Sequence, residues 1–329
     1  MNLFVCRNAS QVSKSLTLAK KCDVITIFTD DYDNESLNFI KNLALLNGYN
    51  ITPISGFLSA VFTSKYLSPI IINYLFSVKF LKFGSRYLYN RLLSDSKVEP
   101  SKLDEIYMFH DAYPVSKVVL RNKMINLLED GLVNYSLPEY SGFHKLMSGL
   151  FNLELSYIGL SHRVNKIFLT GLKSTENLPK ILQDKIEIIN FDYSKLNFDS
   201  EIEYNCVILT QPLDTSGYCS NDKKEKLYLY IFDCLSKFGL NPVLKIHPRD
   251  LSDYKNIPQI RDSRLIPFEL LKMEDTTTLV SLFSSGEVSN VRHFRLIENN
   301  YKKEVEDLNE GKIIELIDEV FDKIKVVYD

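Results

Sequence analysis

Short apolar runs bounded by polar turns alternate along this chain with longer segments whose apolar residues recur at helical spacing. Asn2–Cys6, Asp23–Phe28 and Tyr49–Pro53 read as buried strands, with helices over Gln11–Lys20 and Glu35–Leu46 between them. Leu103–His110 and Met124–Leu128 continue the strand series around a short helix at Val115–Arg121, and Asn165–Thr170 and Ile186–Phe191 extend it. A polar stretch, Asp192–Tyr204, then interrupts the pattern and reads as a linker. After it the alternation restarts: strand Cys206–Thr210, helix Lys223–Phe238, strand Pro242–His247, strand Ser263–Ile266, a short helix from Phe268, and strand Thr277–Phe283. Lys312–Val327 closes the chain as an amphipathic helix, with Ile313, Ile314, Leu316, Ile317, Val320, Phe321 and Ile324 as its apolar positions.

Strands alternating with helices predict parallel sheets covered by helices, because a parallel crossover needs a connection long enough to be helical. The break divides the 329 residues into halves of ordinary domain size, 1–195 and 196–329. Two nucleotide-fold-like α/β halves joined by a linker suggest a GT-B architecture, two Rossmann-like domains facing a central cleft. One segment departs from the pattern. Between Phe57 and Arg91 the chain is apolar and basic, but its longest uncharged run, Tyr66–Val78, has only 13 residues. A membrane-spanning helix needs about 20. A buried helix with snorkelling lysines is the favoured reading, and peripheral contact with an anionic leaflet is the other.

Composition narrows the function classes. A formal charge of -3 argues against nucleic-acid binding by bulk electrostatics. Five scattered cysteines with no Cys-x-x-Cys pair fit reduced thiols and disfavour a disulfide framework or a zinc site. The opening Met1–Cys6 lacks the basic and apolar regions of a signal peptide, so a cytoplasmic location is expected.

The candidate chemistry sits at strand ends. Glu129-Asp130-Gly131 follows the run Met124–Leu128, where a carboxylate can act as a general base and the glycine lets the chain turn. Such a sequence is also an ordinary turn. His247-Pro248 ends another strand, with Lys245 and Arg249 adding positive charge; the imidazole can donate a hydrogen bond or proton to a departing phosphate, although the pair taken alone reads first as a turn histidine capped by proline. Ser284-Ser285-Gly286 follows a third strand and offers hydroxyls and backbone amides for a phosphate, though a plain N-cap explains one of the serines equally well. Asp31-Tyr32-Asp33 precedes a helix, and capping is favoured there over metal binding. His110-Asp111 ends a further strand and is equally a candidate for the acceptor side and a satisfied turn pair, whereas His144, His162 and His293 have no companions suggesting a site.

Together, in this order, the acidic-acidic-Gly, His-Pro and Ser-Ser motifs resemble those of bacterial sialyltransferases, most closely glycosyltransferase family 52. The opening Asn2–Cys6 with Gln11, the run Val207–Leu213 and the segment Pro267-Phe268-Glu269 resemble the same family. The resemblance implies transfer of sialic acid from CMP-sialic acid to a glycan of capsule or lipooligosaccharide, with inversion and without a metal cofactor. It assigns the base to Asp130 or Glu129, of which strand alternation lets only one face the cleft, with Asp130 preferred. His247 would serve the leaving phosphate beside Pro248. Ser284 and Ser285 would bind that phosphate and Glu269 the ribose. Thr210, Gln211 and Pro212 would approach the nucleotide, with Gly131 and Gln11 on the acceptor side. The alternatives are a polysialyltransferase, another GT-B enzyme using a different nucleotide sugar, and a non-catalytic scaffold at the membrane surface.

Overall fold

The computed structural model describes residues 1–29, 33–56, 82–111, 114–135, 157–171, 173–198, 204–274, 276–284, 291–297 and 301–328. The chain divides into two compact units, Met1–Phe198 and Asp199–Asp329. The first carries strands β1 (Leu3–Cys6), β2 (Val24–Phe28), β3 (Ile51–Ile54), β4 (Ile106–Met108), β5 (Ile125–Leu128), β6 (Val164–Leu169) and β7 (Ile186–Ile188). Its described α-helices are α1 (Ala9–Leu18), α2 (Asn34–Leu46), α3 (Lys82–Asp95), α4 (Pro114–Asn122) and α5 (Lys180–Gln183). The seven strands form one parallel sheet in the order β3-β2-β1-β4-β5-β6-β7. Chain order reverses between β1 and β4, which makes their carboxyl ends the crevice where ligands bind in such sheets.

The sheet is apolar on both faces because helices cover both. Leu3, Val5, Ile106, Met108, Ile125, Leu127, Ile167 and Leu169 meet α3 and α4 residues such as Leu92 and Val118 in one core. The alternate positions face α1: the Cys6 thiol lies 3.3 Å from the Ser15 hydroxyl, and Phe4 stacks on Tyr107 at 4.8 Å. Local signals start the helices. Asn8 caps α1 by accepting from the Gln11 N–H, and Asp33 caps α2 by accepting from the Ser36 N–H at 2.7 Å. The capping reading of the Asp31–Asp33 triplet therefore holds for Asp33; Asp31 and Tyr32 lie outside the described residues.

The second unit carries β8 (Cys206–Leu209), α6 (Asn221–Lys237), β9 (Pro242–Lys245), β10 (Thr278–Ser281), β11 (Arg292–Arg295), α7 (Tyr301–Asp307) and α8 (Glu310–Tyr328). Its sheet is again parallel, in the order β11-β10-β8-β9. Ile208, Leu244 and Val280 pack against α6 and α8 through Leu227, Ile231, Ile313 and Ile317. Val207, Leu209, Val243 and Leu279 form the opposite face.

Three expectations change. Ser263–Ile266 is a turn, not a strand, because Ser263 is spent on cross-links: its hydroxyl accepts from the Ile246 N–H at 2.6 Å and its carbonyl from the Lys245 ammonium. The first part of the expected linker packs onto the first unit, where Leu196 is buried and the Asn197 N–H donates to the Asn47 side chain at 2.7 Å. Strand β11 was not expected, since its Arg-His-Phe-Arg sequence carries the charges of a sheet edge. Most of the apolar and basic stretch Phe57–Arg91 lies outside the described residues. Among the described residues no helix is long and apolar enough to cross a membrane.

Gly159 joins the sheet to a buried charge. Its φ is +89°, its N–H donates to the buried Asp111 carboxylate at 3.0 Å, and an added Cβ would lie 2.4 Å from Ile167 Cδ1. Gly159→Ala is expected to lower stability by about 1–3 kcal/mol, read from urea unfolding, since both the left-handed backbone and the contact oppose a side chain.

Candidate active site

At the carboxyl edge of the first sheet, the two acidic residues after β5 have different fates. Glu129 keeps the alternation of Ile125 and Leu127 and turns into the core face, where it is 2% exposed. Its carboxylate is fully engaged. It accepts from the Thr170 N–H at 2.8 Å, the Thr170 hydroxyl at 2.9 Å and the Tyr135 hydroxyl at 2.5 Å. The Tyr135 oxygen in turn accepts from the Gly171 N–H at 2.9 Å. Glu129 thus joins the ends of β5 and β6, and the buried charge is tolerated because donors replace water.

Asp130 takes the other face and is only half-buried. Its N–H donates to Asn134 Oδ1 at 2.7 Å, and its carboxylate accepts from Gln11 Nε2 at 2.8 Å. Lys14 reaches the same corner, donating to the Glu129 carbonyl at 2.9 Å. Burial pushes the Asp130 carboxyl above the ordinary range, against the Gln11 hydrogen bond and the charges of Lys14 and Arg7. A carboxylate with a raised pKa that is still partly accessible is suited to taking a proton near neutral pH. Gly131 follows with φ +97° and accepts from the Asn134 N–H at 3.2 Å, closing the turn. His110, after β4, is held low, to about 4, chiefly by burial; neighbouring Asp111 opposes this, and the charges of Lys117 and Arg7 add to it.

In the second unit the reversal of chain order falls between β8 and β10, and Gln211 spans it: its Oε1 accepts from the Phe283 N–H at 3.2 Å. Thr210 ties β8 to β9, since its hydroxyl accepts from the His247 N–H at 3.0 Å. Thr210, Gln211 and Pro212 are all buried, so their side chains hold the turns together. The imidazole of His247 is oriented from below. Its Nδ1 accepts from the Arg249 N–H at 3.1 Å, which leaves Nε2 as the protonated nitrogen of the neutral ring. Burial, helped by the Arg249 and Lys245 charges, lowers His247 to about 4. In the neutral ring His247 is a hydrogen-bond donor through Nε2.

Pro248 is exposed beside it. Lys245 is buried, and burial lowers its ammonium to about 8 while the Glu269 charge opposes this. The Ser284 amide is not available to a phosphate, because it donates to Ser281 Oγ at 3.1 Å, and the Ser284 carbonyl accepts from Arg295 Nε at 2.8 Å. Ser285 and Gly286 lie outside the described residues.

The supports of these turns include a network that motif reading passed over. Lys224 of α6, fully buried, lies 2.6 Å from Asp214 and 2.8 Å from the equally buried Asp250. Asp250 also accepts from the Tyr254 hydroxyl at 2.8 Å and the Ser252 N–H at 3.1 Å, and its carbonyl accepts from Arg264 Nε at 2.8 Å. One ammonium thereby fastens the loop after β8 and the His247–Asp250 loop to the same helix. A lysine inside the helical stripe, between Ser220 and Leu227, was the available signal: an amphipathic face offers no reason to bury a charge unless it has partners.

With the geometry in place, the sequence comparison decides the family. The model of glycosyltransferase family 52 matches residues 63–298, more than half of the chain. The chain belongs to glycosyltransferase family 52. No curated protein matches it in sequence. Among solved structures, the S. aureus MnaA–UDP co-structure is 10% identical, with a TM-score of 0.51 over 98% of this chain and 88% of that one. Methanocaldococcus jannaschii UDP-GlcNAc 2-epimerase in complex with UDP-GlcNAc and UDP is 12% identical, with a TM-score of 0.51 over 97% and 92%. These likenesses show the fold, GT-B, built of two parallel-sheet α/β units. The protein is a glycosyltransferase of that fold.

Two measurements test the site's supports. Lys224→Met leaves two carboxylates, one of them buried, without their counter-charge and should cost about 3–5 kcal/mol in urea unfolding. The exposed Lys166→Met should cost under about 1 kcal/mol. Imidazole NMR should find His247 neutral at pH 7, with the proton on Nε2, charging only below about pH 5. Because its folded pKa of about 4 lies below the ordinary 6.5, protons bind preferentially to the unfolded chain. His247's contribution to stability is therefore complete above pH 6.5 and is lost as pH falls toward 4.

Proposed function

We propose that this glycosyltransferase is a sialyltransferase, transferring sialic acid from CMP-sialic acid to a terminal sugar, galactose being the favoured acceptor, of a capsule or lipooligosaccharide glycan. The observation that carries the mechanistic part is the division of labour at the acidic turn: Glu129 is consumed by three donors, while Asp130, the less buried of the two, accepts from Gln11 at one carboxylate oxygen and has a raised pKa. Asp130 is then the base. Family membership and the His247 Nε2 donor support the donor side of the reading.

The acceptor hydroxyl oxygen forms a bond to the anomeric carbon of sialic acid as the bond from that carbon to the CMP phosphate oxygen breaks. The hydroxyl proton passes to Asp130, and the electron pair of the broken bond stays on the phosphate, where the His247 Nε2–H hydrogen-bonds to it. Configuration inverts because attack and departure lie on opposite sides. The anomeric carbon is tertiary, so the transition state is loose and resembles an oxocarbenium ion. Catalysis then consists largely of orientation and of stabilising charge on the leaving phosphate. A single departing phosphate carries less charge than a diphosphate, and the proposed reaction assigns no role to a metal. Glu269, near Lys245, is the proposed ribose contact and Ser284 with Ser285 the proposed phosphate contact, through hydroxyls rather than the Ser284 amide. The proposed location is the cytoplasm; peripheral contact at the inner membrane through the stretch around Phe57–Arg91 is the second reading, behind burial of that stretch.

Incubation with labelled CMP-sialic acid and lactose-, galactose- and sialoside-terminated acceptors should yield transfer to a galactose-terminated one. Transfer only to sialosides would make the enzyme a polysialyltransferase. Thermal protection by CMP, and not by UDP or GDP, is expected; protection by UDP instead would overturn the donor assignment. Asp130→Asn should reduce transfer by at least about a thousandfold while CMP protection persists. Full activity in that variant would move the base elsewhere.

A further inference from the structure

The resemblance to family 52 placed Gln11 with the substrate contacts, but its side chain is only 2% exposed and both ends of its amide are occupied. The Arg7 N–H, which can only donate, reaches Gln11 Oε1 at 2.7 Å. That fixes which end of the amide is oxygen, so Nε2 is the atom that meets Asp130 Oδ1 at 2.8 Å. The backbone is anchored as well, since the Gln11 N–H donates to the Asn8 cap at 2.8 Å. Gln11 therefore presents a fixed N–H to one carboxylate oxygen, while Asn134 holds the Asp130 main chain from the other side.

We propose that Gln11 is the positioning residue of the base: it orients the Asp130 carboxylate by one oxygen, leaves the other for the acceptor hydroxyl, and favours the ionised form that accepts a proton. The proposal rests on the reading of Asp130 as base. A glutamine suits this place better than a lysine or arginine. A neutral donor sets direction without the strong stabilisation of a full positive charge, which would leave the carboxylate a weak base. The charged groups around the corner are Lys14 from α1 and Arg7 from the turn after β1, both favouring the carboxylate. His110 after β4 faces Arg7 and Asp111, and the Glu129 carboxylate is turned toward Thr170 and Tyr135. Burial works against all of these donors and charges, so loss of the one direct hydrogen bond should be visible in titration.

The test is the pH dependence of kcat/KM for Gln11→Met and Gln11→Glu beside the unaltered enzyme. In Gln11→Met the acidic limb should move upward by about one pH unit, with most of the activity regained on the alkaline plateau. In Gln11→Glu it should move further, because a second carboxylate then faces Asp130. A uniform loss at every pH, with the limb unmoved, would reduce Gln11 to a packing role and overturn the proposal. Should either variant fail to fold, carbon-13 NMR titration of the Asp130 carboxyl in the other gives the same shift directly. That titration also separates the two ideas. If Asp130→Asn still transfers sugar, the base assignment is lost, while an upward-shifted Asp130 carboxyl in Gln11→Met upholds the Gln11 link by itself. An unshifted carboxyl with an inactive Asp130→Asn refutes the Gln11 link alone.

Discussion

Parallel strands place all their carboxyl ends on one edge, and both units of this chain are built on sheets that are parallel throughout. The last residues of each strand leave the hydrogen-bonded ladder together, so polar side chains there can meet neighbours from strands far away in sequence. In the first unit this brings Gln11, Glu129, Asp130 and Thr170 to one corner. In the second it brings together Thr210, Gln211, His247 and Phe283. The apolar strands need helices on both faces, and those helices supply the supports: Gln11 and Lys14 from α1, Lys224 from α6.

At each edge a buried charge is stabilised by donors and fixes a more exposed neighbour. Glu129 is buried with three donors, and its immobilisation leaves Asp130 on the opposite side of the chain. Asp250 is buried against Lys224 and Tyr254, and three residues upstream His247 sits at the rim with its Nδ1 occupied. Removing a partner from either group exposes the desolvation cost of what remains, which is why such supports are sensitive to single substitutions. The GT-B fold itself sets only where the edges lie; the chemistry resides in which side chains are saturated and which keep an unused atom.

Much of the fold was legible because periodicity is a local property. The runs ending at Cys6, Phe28 and Leu128 were bounded nearly where the strands end, since four or five consecutive apolar residues between polar turns have few other ways to be buried. The failures share one cause. Ser263–Ile266 has strand-like residues but its serine is claimed by Ile246, a contact from another part of the chain. Arg292–Arg295 looks too polar for a strand, yet it pairs with β10 at the sheet edge, where water remains beside it. Leu196 and Asn197 were read as linker from composition alone, although Leu196 is buried and the helix α2 terminus captures Asn197.

By itself the sequence determined the alternating α/β pattern, the order of the acidic, His-Pro and Ser-Ser motifs, and the resemblance to family 52. Through that resemblance it pointed to two adjacent carboxylates as candidates for the base, and alternation at a strand end implied that they face opposite ways. Only the tertiary structure decided which face holds donors. Thr170 and Tyr135 meet Glu129 through strand pairing that no local pattern encodes, and Gln11 meets Asp130 across 119 residues. The same distinction applies to His247: its position was readable, but its neutral state and its protonated nitrogen depend on burial and on the Arg249 amide. Hydrogen-bond saturation and desolvation are set by what packs against a residue, so they exist only once the chain has folded.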